Sequence, residues 1–191
     1  MNFLSESLEG VFTLDPKIHG DDRGYFFETF RHDIMQRELG YKVNFIQENE
    51  SKSSKGVLRG LHFQIPPYAQ SKLVRVISGC VIDVIVDIRQ GSLTFGKHLA
   101  LELSCSNKKQ IFIPRGFAHG FMVLSETAIF SYKVDNYYSP DHERAIVFDD
   151  NDLNINWHLK KEKLIISKKD MENPKFKNLP EYFNINENYY E

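Results

Sequence analysis

The run Ile82-Asp83-Val84-Ile85-Val86-Asp87-Ile88 carries an aliphatic side chain at every even position and sets Asp83, Ile85 and Asp87 on the opposite face. Successive side chains of a strand point to opposite faces, so this period of two predicts a sheet. Further strand segments flank it: Phe26–Thr29, Val57–Gln64, Lys72–Ile77, His98–Leu103, Gln110–Ile113, Gly120–Leu124, Ala128–Val134 and Ala145–Phe148. Turn signals separate them, among them Ser78-Gly79, Gln90-Gly91-Ser92, Ser104–Asn107 and Ser139-Pro140-Asp141. About nine short strands at that spacing predict a mainly β barrel or sandwich.

Helical signals are few. Phe30–Leu39 reads as a helix stopped by Gly40, the residue type that most readily takes the left-handed conformation after a helix end. From Asn151 onward the chain turns Lys-rich and Asn-rich, which predicts short helices packed on the outside of the sheet structure. No internal repeat, low-complexity tract or Gly/Ser linker interrupts the sequence, so residues 1–191 are expected to form a single domain.

Composition narrows the function. The 191 residues are 41% hydrophobic, enough for a packed core, and 24 Lys+Arg against 26 Asp+Glu leave a formal charge of −2. With no basic block, electrostatic capture of nucleic acid is not expected. A mean hydropathy of −0.41, with no apolar run near the roughly 18 residues that a membrane span requires, argues against a membrane protein. The start MNFLSESLEG lacks the basic, apolar and small-residue sections of a signal peptide, so a cytoplasmic location is expected. Cys80 and Cys105 sit inside apolar strand-like runs and read as reduced packing residues, neither disulfide partners nor metal ligands.

Several segments place reactive side chains in apolar surroundings. In Val57–Gln64, strict alternation sets Arg59 and His62 on opposite faces, unless a bulge at Gly60 turns both into one cavity; the plain alternative is an edge Arg and a satisfied core His. In Ile113–Phe121, His119 starts a strand between Phe117 and Phe121. Two imidazoles in one barrel make a base with a partner or two metal ligands, and the metal reading is the weaker: residue 64 is Gln and no second His stands near His62. Tyr132 shares a face with Phe130 and Val134, as a core tyrosine or as a proton donor opposite a histidine base. Lys72 opens an aliphatic strand on the face of Val74 and Val76, where an inward ammonium calls for an anion or a developing oxyanion and a solvated strand end does not.

The turn Asp21-Asp22-Arg23-Gly24 precedes a strand with Glu28 beyond it; it reads as an ordinary turn with an exposed ion pair, or as a phosphate contact through the Arg23 fork. Ser167-Lys168-Lys169-Asp170 fits a capping box, so local physics alone gives Asp170 a structural task.

Seven ordered blocks resemble the cupin-type nucleotide-sugar epimerases of the dTDP-4-dehydrorhamnose 3,5-epimerase family: DDRGYFFETF (21–30), QENESKS (47–53), GVLRGLHFQ (56–64), AQSKLVRV (69–76), DVIVDIRQGSLTFGKH (83–98), IPRGFAHGFMVLSE (113–126) and YKVDNYYSPDHE (132–143). The resemblance implies a cupin jelly-roll barrel with a few short peripheral helices, no metal and no cofactor, and a homodimer with an exchanged N-terminal strand. It also implies a reaction, inversion of C3 and C5 of a nucleotide-linked 4-keto-6-deoxy sugar by proton removal alpha to the C4 ketone, in surface polysaccharide sugar synthesis of the dTDP-L-rhamnose type. On this resemblance His62 is the base, Tyr132 the acid that reprotonates C5, Lys72 the cation beside the enolate oxygen, and Asp170 the group that orients His62 and raises its basicity.

The same resemblance puts His119 against the sugar or diphosphate, Arg23, Arg59 and Lys168 on the diphosphate, and Glu28, Gln47, Asn49 and Glu143 at further binding positions. Tyr138 matches the aromatic residue that stacks on the nucleobase, and His19 stands where the family commonly has a Phe against thymine. Asp83 lies near the site by strand geometry without a role. The alternatives are an epimerase acting on C3 alone or on a GDP-linked 4-keto-6-deoxy heptose or hexose, a cupin that only binds a sugar nucleotide, and a metal-dependent cupin oxygenase, for which a facial triad of ligands cannot be assembled.

Overall fold

Residues 1–190 are described by a computed structural model, in which two antiparallel sheets face each other. In chain order the elements are β1 (Asn2–Ser5), β2 (Phe12–Asp15), β3 (His19–Asp21), β4 (Gly24–Phe26), α1 (His32–Leu39), β5 (Gln47–Ser54), β6 (Val57–Gln64), β7 (Lys72–Ser78) and β8 (Cys80–Asp87). They continue with β9 (Arg89–Gln90), β10 (His98–Ser104), β11 (Gln110–Ile113), β12 (Phe117–Val123), β13 (Thr127–Val134), β14 (Glu143–Ala145), β15 (Ile165–Ile166), α2 (Lys168–Met171) and β16 (Phe183–Asn184). One sheet runs β1-β2-β11-β7-β13-β5; the other runs β10-β8-β12-β6-β14, with β15 laid parallel to β6. The alternation in Ile82–Ile88 predicts the sheet, and the whole is the mainly β jelly roll that the family resemblance implies, with helices only at its periphery.

Strand β8 is flanked by β10 and β12 and buried on both faces, its odd positions alternating the apolar Val81 and Ile85 with the buried Asp83 and Asp87. Val81 and Ile85 meet Val74, Val76, Phe121 and Phe130 in the core between the sheets. Ile82, Val84 and Val86 turn outward, where the chain after Ala145 covers them with Ile146, Phe148, Leu153, Trp157 and Phe183. The Trp157 indole N–H donates to the Phe148 carbonyl at 2.8 Å, so its one polar atom is satisfied inside that layer. Helix α1 covers the outer face of the other sheet, seating Met35 with Leu14, Val43, Leu73 and Phe112. It ends on Gly40 at φ 75°, whose N–H reaches the Gln36 carbonyl.

Three local expectations are corrected. The strand expected at Phe26–Thr29 lies earlier, at β4, where it pairs with β3 in a hairpin turning at Asp22-Arg23. The strand expected at Ala145–Phe148 is β14, and beyond it Ile146 exchanges backbone hydrogen bonds with Leu61 while Val147 donates to the Pro174 carbonyl. Helix α1 begins at His32, two residues later than expected. Strands β1, β2, β3, β5, β9, β15 and β16 had no sequence counterpart; β5 is polar, Gln47-Glu48-Asn49-Glu50-Ser51-Lys52, because it is an edge strand with little apolar burial. Among the described residues no helix is long and apolar enough to cross a membrane.

Candidate active site

The site begins with an irregularity in β6. Opposite β12, His119 pairs with His62 and Phe121 with Arg59, so three steps along β6 span two along β12. The extra residue defeats strict alternation and brings Arg59 and His62 to one face, as a bulge at Gly60 predicts. Gly60 has φ 137°, and a Cβ there would lie 2.5 Å from the Gly120 Cα. A Cβ on Gly120 would in turn meet the Arg59 carbonyl at 2.7 Å, so the two glycines permit a backbone approach that no side chain allows.

Between the sheets the bulge opens onto a cavity of about 500 Å³ lined by Arg59, His62, Lys72, His119, Tyr132 and Asp170, with Phe121 and Phe130 behind them. His62 Nε2 lies 2.7 Å from Asp170 Oδ1 across 108 residues of sequence. The Asp170 N–H donates to Ser167 Oγ at 3.1 Å, which completes only one arm of the capping box; the carboxylate turns away to the imidazole. Burial pushes the Asp170 carboxyl up, but the bonds from His62 and Ser167 and the Gly60 amide outweigh it and hold the group below the usual carboxylate range.

Lys72 points inward from the start of β7 and donates one long bond, 3.3 Å, to the His62 carbonyl. Burial pushes its ammonium down to about 8, against the support of Glu143 and Asp83. Tyr132, on the neighbouring β13, packs by Phe130 with ring centroids 6.2 Å apart. Burial, and then the Glu143 charge, push its phenol up, so the hydroxyl keeps its proton at neutral pH. His119 is buried and its Nε2 lies 2.9 Å from Asp83 Oδ2; burial depresses its basicity and favours the neutral ring. Base and acid candidates therefore come from opposite sheets, His62 from β6 and Tyr132 from β13, with an ammonium on β7 beside the acid. That geometry suits proton removal and delivery on opposite faces of a flat intermediate.

Gln47, Asn49, Tyr138 and Glu143 do not line the cavity; they form a hydrogen-bonded group joined to it through Lys169. Gln47 donates to Asn49 Oδ1 at 2.9 Å and accepts from the Tyr138 N–H at 3.2 Å. The Tyr138 hydroxyl donates to Glu143 Oε2 at 3.2 Å, and Glu143 is ion-paired with Lys169. Lys169, which the sequence reading passed over, lines the cavity, while Lys168 is exposed and near Glu172. Glu50, Ser51 and Ser167 also line it without having been singled out as site residues; the polar β5 run was the signal that could have found the first two. His19, Arg23 and Glu28 lie apart, at or beside the β3–β4 hairpin, and line surface hollows with Phe26. Arg23 pairs there with Asp21 and is almost fully exposed. Among the described residues no three His, Cys, Asp or Glu side chains are arranged to hold a metal ion.

The chain is similar to known proteins of one family. The family described as dTDP-4-dehydrorhamnose 3,5-epimerase matches residues 5–178. The dTDP-4-dehydrorhamnose 3,5-epimerase of Shigella flexneri is 49% identical over 176 residues, 92% of this chain and 96% of that protein. The crystal structure of the same-named protein from Elizabethkingia anophelis superposes with a TM-score of 0.90 at 47% identity, covering 93% of this chain and 97% of that one. A dTDP-6-deoxy-D-glucose-3,5-epimerase from Legionella pneumophila, solved in complex with dTDP-4-keto-L-rhamnose, gives a TM-score of 0.90 at 44% identity over 94% of each chain.

Proposed function

The chain belongs to the dTDP-4-dehydrorhamnose 3,5-epimerase family, and on that premise we propose that it inverts C3 and C5 of a dTDP-linked 4-keto-6-deoxyhexose. One observation carries the mechanism: His62 and Tyr132 face a single cavity from opposite sheets, with the Lys72 ammonium beside it. His62 takes the proton from a carbon alpha to the C4 ketone, and the negative charge that gathers on the C4 oxygen is met by Lys72. A fixed cation stabilises that enolate more than the neutral ketone, so it lowers the barrier and does not merely tighten binding. Asp170 holds the imidazole in place and stabilises the imidazolium formed by proton transfer, its carboxylate being ionised well below neutral pH.

Tyr132, protonated at neutral pH, returns a proton to C5 from the other face. The steps move protons and no net electrons, so the balance requires no redox cofactor. Arg59, His119 and the Gln47, Asn49, Tyr138 and Glu143 group are assigned to the sugar, diphosphate and base of the nucleotide.

The separation of His19, Arg23 and Glu28 from the cavity supports a homodimer in which the N-terminal hairpin of one protomer reaches the cavity of its partner. Ile18, Tyr25 and Phe26 are 45%, 61% and 68% exposed on or beside that hairpin, an apolar surface that a second copy would cover. Residues 1–191 would then act as one cupin-type domain whose site draws on two chains, at work in the cytoplasm. His62→Ala tests the assignment: wild-type protein exchanges substrate protons with solvent, and the variant, with an unchanged circular dichroism spectrum and oligomeric state, does not. Exchange at the wild-type rate in that variant would overturn the assignment of the base.

A further inference from the structure

Asp83 is fully buried on β8, beneath the cavity. Its Oδ2 lies 2.9 Å from His119 Nε2, and its Oδ1 is the one buried side-chain oxygen or nitrogen among the described residues without a hydrogen-bond partner. A carboxylate placed in a core with half of its acceptors unused is costly, and a protein keeps one where it does something packing alone does not. We infer that Asp83 is a positioning residue: through Oδ2 it fixes His119 as the neutral ring protonated at Nε2, which leaves a bare Nδ1 acceptor on a residue that lines the cavity.

The assignment follows from the chemistry of the pair. An ionised carboxylate only accepts, so Nε2 must carry the hydrogen, and a neutral ring then leaves Nδ1 as a bare acceptor. His119 lines the cavity, and none of its hydrogen bonds uses Nδ1. An acceptor there suits a sugar hydroxyl. The opposite tautomer would present a donor and would set two acceptors against each other at Asp83.

This inference concerns the ring of His119 and stands or falls apart from the epimerase reading. Long-range 1H–15N correlation spectra of the wild-type protein, with the His119 ring assigned by its loss in His119→Gln, should show a neutral ring protonated at Nε2 between pH 6 and 8. In Asp83→Leu, which removes the acceptor, the ring should leave that single tautomer. A wild-type ring protonated at Nδ1, or charged in that range, would overturn the inference, and so would an unchanged Nε2–H tautomer in the folded variant. Should Asp83→Leu not fold, the wild-type spectrum decides alone.

Discussion

Replacing Lys72 by Met should make the protein more stable and nearly inactive. Burial holds the ammonium down to about 8 from an ordinary 10.5, even with Glu143 and Asp83 in support. At about 1.36 kcal/mol per pH unit, keeping this side chain charged in the fold costs roughly 3 kcal/mol at neutral pH, and partial solvent access reduces that to about 1–3 kcal/mol. The cost is fully present below pH 8, declines as the pH rises from 8 to 10.5, where the unfolded chain holds the extra proton, and vanishes above. Met keeps the aliphatic stem and removes the charge, so at pH 7 the variant should melt about 2–12 °C higher, given about 2–4 °C per kcal/mol for a chain of this size. The gain should fade by pH 10.5. Loss of the cation at the enolate oxygen should cut turnover about 100-fold or more. Thermal melts at pH 7 and 10.5 with exchange rates on the same preparations provide the assay. A variant that melts lower than wild type at pH 7, or whose gain is independent of pH, would refute the claim that Lys72 is a charge held against its burial.

Three further outcomes follow from named contacts. Tyr132→Phe removes the hydroxyl proposed to reprotonate C5 while leaving His62 in place, so product formed in deuterium oxide should carry one deuteron where wild-type product carries two; mass spectrometry reads the difference. Asp170→Asn removes the negative charge from the 2.7 Å contact with His62, a charge-assisted bond worth about 1.5–3 kcal/mol, and should slow exchange roughly 10- to 100-fold with little change in circular dichroism. Gly60→Ala sets a Cβ 2.5 Å from the Gly120 backbone at φ 137°, and should destabilise the fold by more than about 2 kcal/mol in urea titration, with loss of exchange because Arg59 and His62 both depend on the bulge.

The central strand was readable because its two faces are both buried, so every position of Ile82–Ile88 carried information. The bulge was readable for a similar reason: an Arg and a His that strict alternation would separate flanked the one residue type that permits a register shift. Strand β5 was invisible because an edge strand that buries little apolar surface needs no hydrophobic period, and its ladder partner, β13, begins more than seventy residues away. The task of Asp170 was hidden behind a local one, since Ser167 and Asp170 satisfy a capping pattern whatever the carboxylate does, and its partner His62 lies on a strand 108 residues earlier. Lys168 and Lys169 illustrate the limit of residue type: both are lysines on α2, and only the direction of a short helix decides that Lys169 faces the cavity. For Asp83, the sequence gives strand face and charge, while the partnerless oxygen exists only in three dimensions.

The most direct test of the account is the number of solvent deuterons that wild-type protein places in dTDP-4-keto-6-deoxyglucose in deuterium oxide, with the GDP-linked 4-keto-6-deoxy sugar run in parallel. The account predicts two, one at C3 and one at C5, on the dTDP series. No incorporation into the dTDP sugar by folded protein would contradict it.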